Sequence, residues 1–245
     1  MMRIGHYQFS PARIPTLATI LLLPVFISLG FWQLNRAEEK QAILDLRNER
    51  LALSEYNVDS IPANLGDIEY RKLSIKGRYL NQYQIYIDNK VHQGQVGYQI
   101  VTPLQLSGRD EVILVNRGWI KASGDRRRLP TIVNNDNEVT LKGTLKLNSK
   151  DIVTFLNDNN RLGTDWPALV RWVDPLALDK DIEGAVAPFL FLQDELPEDE
   201  LKRQWHFINS SPEKSVSYAM QWFSFALLLL IIYVAVNLKR IKEKV

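Results

Sequence analysis

Two long stretches of the chain carry no charge, and the region between them is built of short runs in which apolar and polar residues alternate. Ile14 to Leu34 reads IPTLATILLLPVFISLGFWQL, with no charged residue between Arg13 and Arg36. Tyr218 to Leu238 reads YAMQWFSFALLLLIIYVAVNL, with none between Lys214 and Lys239. Each holds about the 20 apolar residues needed to cross a hydrocarbon core of about 30 Å. The first run competes with a cleaved signal peptide, but it is long for one and no A-x-A-like site follows it. The second competes with a buried core helix, and the basic cluster Lys239, Arg240, Lys242 and Lys244 after it favours a span. The pattern predicts transmembrane helices over 14–35 and 218–238.

Beyond the first run, Ala42, Ile43, Leu46 and Leu51 recur at helical spacing among alternating charges, which predicts a solvated helical stalk continuing the membrane helix. Ile61-Pro62 and Leu65-Gly66-Asp67 mark a loop. From Tyr70 the period changes. LSIKGRYL, QIYIDN, VGYQIVTPLQL, EVILVNRGWI and EVTLKGTLKL are short and rich in Val, Ile, Leu, Tyr and Thr, with Gly, Asn, Asp or Ser between them. Such runs with tight connections predict an antiparallel sheet able to curl into an open barrel. Asp174 and Pro175 read as the cap and first position of a short helix. PFLFLQ reads as one more strand, and PEDELKRQ as a helical turn leading to the second span. The expected fold class is an α+β membrane protein. Two transmembrane helices, N- and C-terminal, flank an antiparallel-sheet-rich extracytoplasmic domain over 36–217.

Charge orients this arrangement. Residues 36–217 carry 24 Lys+Arg against 27 Asp+Glu, a net of −3, so the overall +2 comes from the tails. Two spans put both termini on one side, and the basic tail over 239–245 assigns that side to the cytoplasm, together with residues 1–13. The domain between the spans is then periplasmic. Thirteen residues before the first span are short for a transit peptide, which favours a bacterial inner membrane. The basic excess reads as a topology signal, so nucleic acid is not an expected partner and membrane lipid is. Cysteine is absent, which excludes disulfides, thiolate chemistry and Cys-ligated metal centres. The three histidines, His6, His92 and His206, are isolated, and the sequence contains no G-x-S-x-G, H-E-x-x-H, phosphate-loop or EF-hand pattern. No catalytic residue and no metal site is expected.

Four short signatures remain. Leu29-Gly30-Phe31-Trp32-Gln33-Leu34-Asn35-Arg36 closes the first span, with Glu38-Glu39-Lys40 after it. Gly97 to Leu104 reads GYQIVTPL, Val115 to Ile120 reads VNRGWI, and Tyr218-Ala219-Met220-Gln221-Trp222-Phe223 opens the second span. Physically, Trp32-Gln33 and Gln221-Trp222 sit at similar depth in one leaflet, either as an aromatic belt or as walls of a shared groove for a flat apolar ligand or a partner helix. Gly118 permits a bulge while Trp119 packs on the sheet; alternatively Arg117 and Trp119 face a partner or ligand. Arg126-Arg127-Arg128 is a solvated basic loop, or one that meets lipid phosphates or the carboxylates of a ligand.

In this order, and at these positions relative to two spans, the signatures resemble the Surfeit locus protein 1 family, assembly factors of cytochrome c oxidase. The resemblance covers essentially the whole chain. It implies a non-enzymatic protein that assists haem a delivery to or insertion into oxidase subunit I, with subunit I and haem a synthase as partners and haem a as a transient cofactor. It makes Trp32, Gln33, Arg117, Trp119, Tyr218 and Trp222 candidate haem or partner contacts. Members that bind haem a carry a histidine just before the second span, where this chain has Ser215, and a serine does not replace imidazole at haem iron. That departure supports a second reading, a permanently bound accessory subunit of a respiratory oxidase without cofactor. A transmembrane sensor fits poorly, because the tails are too short to hold an output domain.

Overall fold

The computed structural model describes residues 2–4, 7–57, 64–124, 128–147, 166–173, 175–178, 182–196, 199–208 and 210–240. The helices are α1 (Arg13–Ala52), α2 (Pro175–Leu178) and α3 (Pro212–Asn237). The strands are β1 (Met2–Ile4), β2 (Tyr7–Phe9), β3 (Tyr56–Asn57), β4 (Lys72–Tyr79), β5 (Ile85–His92), β6 (Gln95–Leu106), β7 (Glu111–Lys121), β8 (Glu138–Leu147), β9 (Ala168–Val170), β10 (Ala185–Gln193) and β11 (Leu238–Arg240). They form two compact units, one of residues 1–46 and 206–245 and the other of residues 47–205.

The first unit is a helix pair. α1 and α3 are each long and apolar enough to cross a membrane, and most of their apolar side chains are exposed. At 40 residues, α1 runs about 60 Å, so the predicted stalk is the same helix continued. Thr19, Gly30 and Ala37 of α1 are buried, as are Pro212, Ser215, Ala219, Ala226 and Asn237 of α3. These positions recur at intervals of three, four, seven and eleven, the spacing of a coiled-coil seam, and most are small, so the backbones approach closely. A Cβ on Gly30 would stand 2.5 Å from the Phe223 ring. At the chain ends β1, β2 and β11 form a small antiparallel sheet that sequence reading missed. Beside it Asn237 accepts the Ala12 N–H at 2.6 Å and donates to the Tyr233 carbonyl at 2.7 Å, so one helix caps the other. Lys239 and Arg240 of the predicted basic tail belong to β11; Lys242 and Lys244 lie outside the described residues.

The second unit is a barrel. β4 pairs with β8, β8 with β10, β10 with β7, β7 with β6, and the last three residues of β6 return to β4, closing a ring of five strands. The last strand in sequence is inserted between the third and fourth, a Greek-key order of the OB type. Closure occurs at Gly77, which faces Val139 of β8 and Leu106 of β6; a Cβ there would lie 2.1 Å from the Gln105 carbonyl oxygen. The first part of β6 instead pairs with β5, whose far side takes β9. Alternation along β4 turns Leu73, Ile75 and Tyr79 inward, where they meet Leu104, Ile113, Val115, Leu141, Leu145, Phe189 and Phe191.

One expectation is refined here and another corrected. The sheet is rich in antiparallel pairs but mixed, since β10 runs parallel to β7, as do β3 to β4 and β9 to β5. A hairpin forces antiparallel pairing, but β10 arrives after a connection long enough to cross back. The helical turn read in PEDELKRQ is also absent among the described residues of that run. Lys202 is instead extended, exchanging both backbone hydrogen bonds with Trp119 at 2.7 and 2.8 Å. α2 is present at Pro175, while its expected cap Asp174 lies outside the described residues, as do Arg126, Arg127 and His6.

Candidate functional site

The barrel gathers chemistry where β7 leaves the ring. Gly118 has φ +137°, and the register between β6 and β7 shifts opposite it, so this is the bulge the VNRGW run predicts. The bulge turns Arg117 inward. Its guanidinium lies 4.9 Å from the Tyr79 ring centre, and Nη2 donates to the Val133 carbonyl at 2.9 Å. Burial draws the Arg117 pKa below its ordinary value and pushes the Tyr79 phenol up to about 12. Tyr79 in turn bonds to Gln193 at 3.3 Å, whose carbonyl accepts the Trp205 indole N–H at 3.0 Å.

A second guanidinium completes the cluster. Arg203 is ion-paired with Asp199, which also accepts the Leu201 N–H at 3.0 Å. Burial pushes the Asp199 carboxyl up, but the Leu201 N–H and the Arg203 and Arg117 charges outweigh it and hold the group below the usual carboxylate range. Arg117, Ile120, Ile132, Val133, Leu196 and Leu201 enclose one side of a cavity of about 390 Å³, with Asp199 and Glu200 also on its wall.

Trp119 follows the bulge. Its indole N–H donates to the Lys90 carbonyl at 2.8 Å, its ring lies 5.1 Å from that of His92, and it covers Gly97, where a Cβ would be 2.6 Å from the indole. It packs on the sheet, and it also borders a more polar cavity of about 550 Å³ with His92, Gln95, Lys202 and Arg203.

The remaining candidates belong to the helix pair. Phe31 meets Phe223 edge-on at 5.5 Å and Phe26 meets Trp222 at 5.9 Å, so the two Trp-Gln pairs are level with each other. Trp222 is half-buried against Phe26 and Phe225, Gln33 is half-buried, and Trp32, Tyr218 and Gln221 are exposed. The structure therefore brings Arg117 and Trp119 to one bulge and the other four to the helix pair, with Tyr218 one turn before Trp222. Ser215 is 3% exposed and takes a hydrogen bond from Lys40 Nζ at 2.8 Å, and the same ammonium reaches Ser210 at 2.7 Å. His206 is exposed, on the irregular segment before α3. Sequence reading missed Tyr79, Asp199, Arg203 and Lys40. Only the Asp199–Arg203 spacing of four carried a local signal, and it suggested a helix.

Residues 20–227, from within the first apolar helix to within the second, match the sequence model of the SURF1 family. A SURF1-like protein of Rickettsia felis is 28% identical over 228 residues, covering 89% of this chain and 94% of that protein. One of Rickettsia conorii is 29% identical over 220 residues, 86% of this chain and 85% of that protein. Surfeit locus protein 1 of Arabidopsis thaliana is 33% identical over 118 residues, 42% of this chain and 33% of that protein. With most of α1, the whole barrel and the first part of α3 inside the matched region, the chain belongs to the SURF1 family.

Proposed function

We propose that this protein is a non-enzymatic assembly factor for a haem-copper oxidase, helping subunit I receive haem a. The observation that carries the proposal is the family match, which spans the whole barrel and reaches into both apolar helices. The helix pair is proposed to anchor the protein in a bacterial inner membrane with both termini cytoplasmic and the barrel in the periplasm. The charge-free runs and the basic residues after α3 support that orientation. Subunit I, haem a synthase and membrane lipid are the proposed partners. The helix-pair aromatics Trp32 and Trp222, with Gln33 and Tyr218, and the bulge residues Arg117 and Trp119, are the proposed contacts.

An axial haem ligand supplied from position 215 does not fit. The hydroxyl there is buried and committed to Lys40, and serine offers no imidazole. The proposal therefore assigns this chain no iron-ligating step. The same observation favours a second reading, a permanently bound accessory subunit of the oxidase.

Reduced-minus-oxidised spectra of membranes with and without the protein test both. Under the assembly reading, the haem a signal and oxidase activity fall on deletion while the protein is substoichiometric to the purified oxidase. Stoichiometric co-migration with the mature complex supports the accessory subunit instead. Unchanged spectra and activity, in cells holding no second family member, would defeat the assembly reading.

A further inference from the structure

The barrel buries more positive charge than its described carboxylates neutralise. Arg117 and Arg203 are 9% and 7% exposed, and among the described residues the carboxylate ion-paired with either is Asp199, which is taken by Arg203. Arg117 has instead a neutral carbonyl and a ring face, and its Nη1 is closed to water with no hydrogen-bond partner among the described residues. A buried guanidinium without an anion is costly, and native structures rarely leave one so. The wall of the cavity that Arg117 lines is otherwise mostly apolar. Two of its side chains, Val133 at 82% exposure and Leu196 at 49%, are left open to water. A volume of about 390 Å³ falls within the range of small-molecule sites.

We infer that the cavity beside Arg117 is a binding site for a small amphiphile with a carboxylate head and an apolar body. The head supplies the counter-charge that Arg117 lacks. The body covers Val133 and Leu196 and packs against Ile120, Ile132 and Leu201. A single negative charge suits the site better than a dianion, because Asp199 and Glu200 stand on the same wall and repel added charge. Asp199 offsets part of the Arg117 charge but is ion-paired with Arg203 and bonded to the Leu201 N–H, and Glu200 is exposed, so neither pairs with Arg117 directly. The site rests on the charge balance of the barrel and is independent of the oxidase reading.

The test is calorimetric titration of the full chain in phosphatidylcholine nanodiscs with hexanoate and with its neutral isostere hexanamide, the heat of empty discs being subtracted. Hexanoate should bind at least about tenfold more tightly than hexanamide, the difference expected of a charge-assisted hydrogen bond in a buried setting. Arg117→Gln should erase that preference, and Glu200→Gln should tighten hexanoate about twofold while leaving hexanamide unchanged. Equal affinities for the two probes, or no heat above that of empty discs, would overturn the site. Should Arg117→Gln fail to fold, the isostere comparison and the Glu200→Gln variant decide the matter without it.

Discussion

Arg117 and Asp199 each answer to a different test at the scale of single residues. Tyr79 supports the Arg117 guanidinium with its ring and reaches Gln193 with its hydroxyl. Tyr79→Phe keeps the ring and loses one buried hydrogen bond, a cost of about 1 kcal/mol. Tyr79→Leu also loses the cation–π contact, and should cost about 1 kcal/mol more. Denaturant midpoints of the two variants separate the contributions, and equal midpoints would remove the ring from the account. Asp199 makes stability depend on pH. Its folded pKa lies below the unfolded value, so the Arg203 pair contributes fully above an ordinary aspartate pKa of about 4 and is lost as pH falls through the lower folded value. Asp199→Asn should therefore lower the thermal midpoint most at neutral pH, and the gap to the native protein should narrow as pH drops towards 3. A gap independent of pH would assign the effect to something other than the ion pair.

Gly30 and Ser215 govern how the elements of the helix pair meet. Gly30→Leu would drive a branched side chain into the Phe223 ring, at a cost of about 1–3 kcal/mol, so the pair should open at lower denaturant. Ser215→Ala should cost only about 1 kcal/mol, the net value of an ordinary intramolecular hydrogen bond, because Lys40 keeps Ser210. A much larger loss would mean that Ser215 does more than join helices. In the barrel, the strands were legible wherever period-2 alternation is local, as in LSIKGRYL, and the bulge was legible because Gly118 and Trp119 stand together. The parallel entry of β10 was not, since PFLFL is apolar throughout and a run without alternation does not say which neighbours it takes. β2 and β11, three residues each, are too short to stand out from a helix end. The charged run around Asp199 and Arg203 looked helical by spacing, and pairing with Trp119, remote in sequence, decided otherwise.

For the whole molecule, the division at residues 46–47 and 205–206 means that each unit has its own source of cohesion. All strands of the five-strand ring, and the inward side chains from Leu73 to Phe191, belong to residues 47–205. A stretch of about 160 residues with its own buried apolar clusters is ample for independent folding. Residues 47–205 produced alone should therefore be soluble and melt in one cooperative transition, and the hexanoate site should travel with them, because every wall of that cavity lies inside this unit. A version ending at residue 184 provides the opposite case. It lacks β10, which joins β7 to β8 and brings Phe189 and Phe191 into the core, so the ring cannot close and two large side chains are missing from its centre. Losing one buried Phe costs about 3–5 kcal/mol. Two, together with both ladders, exceed the stability of about 5–15 kcal/mol typical of a domain, so this version should show no cooperative melt. If residues 47–205 failed to melt cooperatively while the full chain did so, the barrel would owe its stability to the helix pair, and the two units would have to be treated as one.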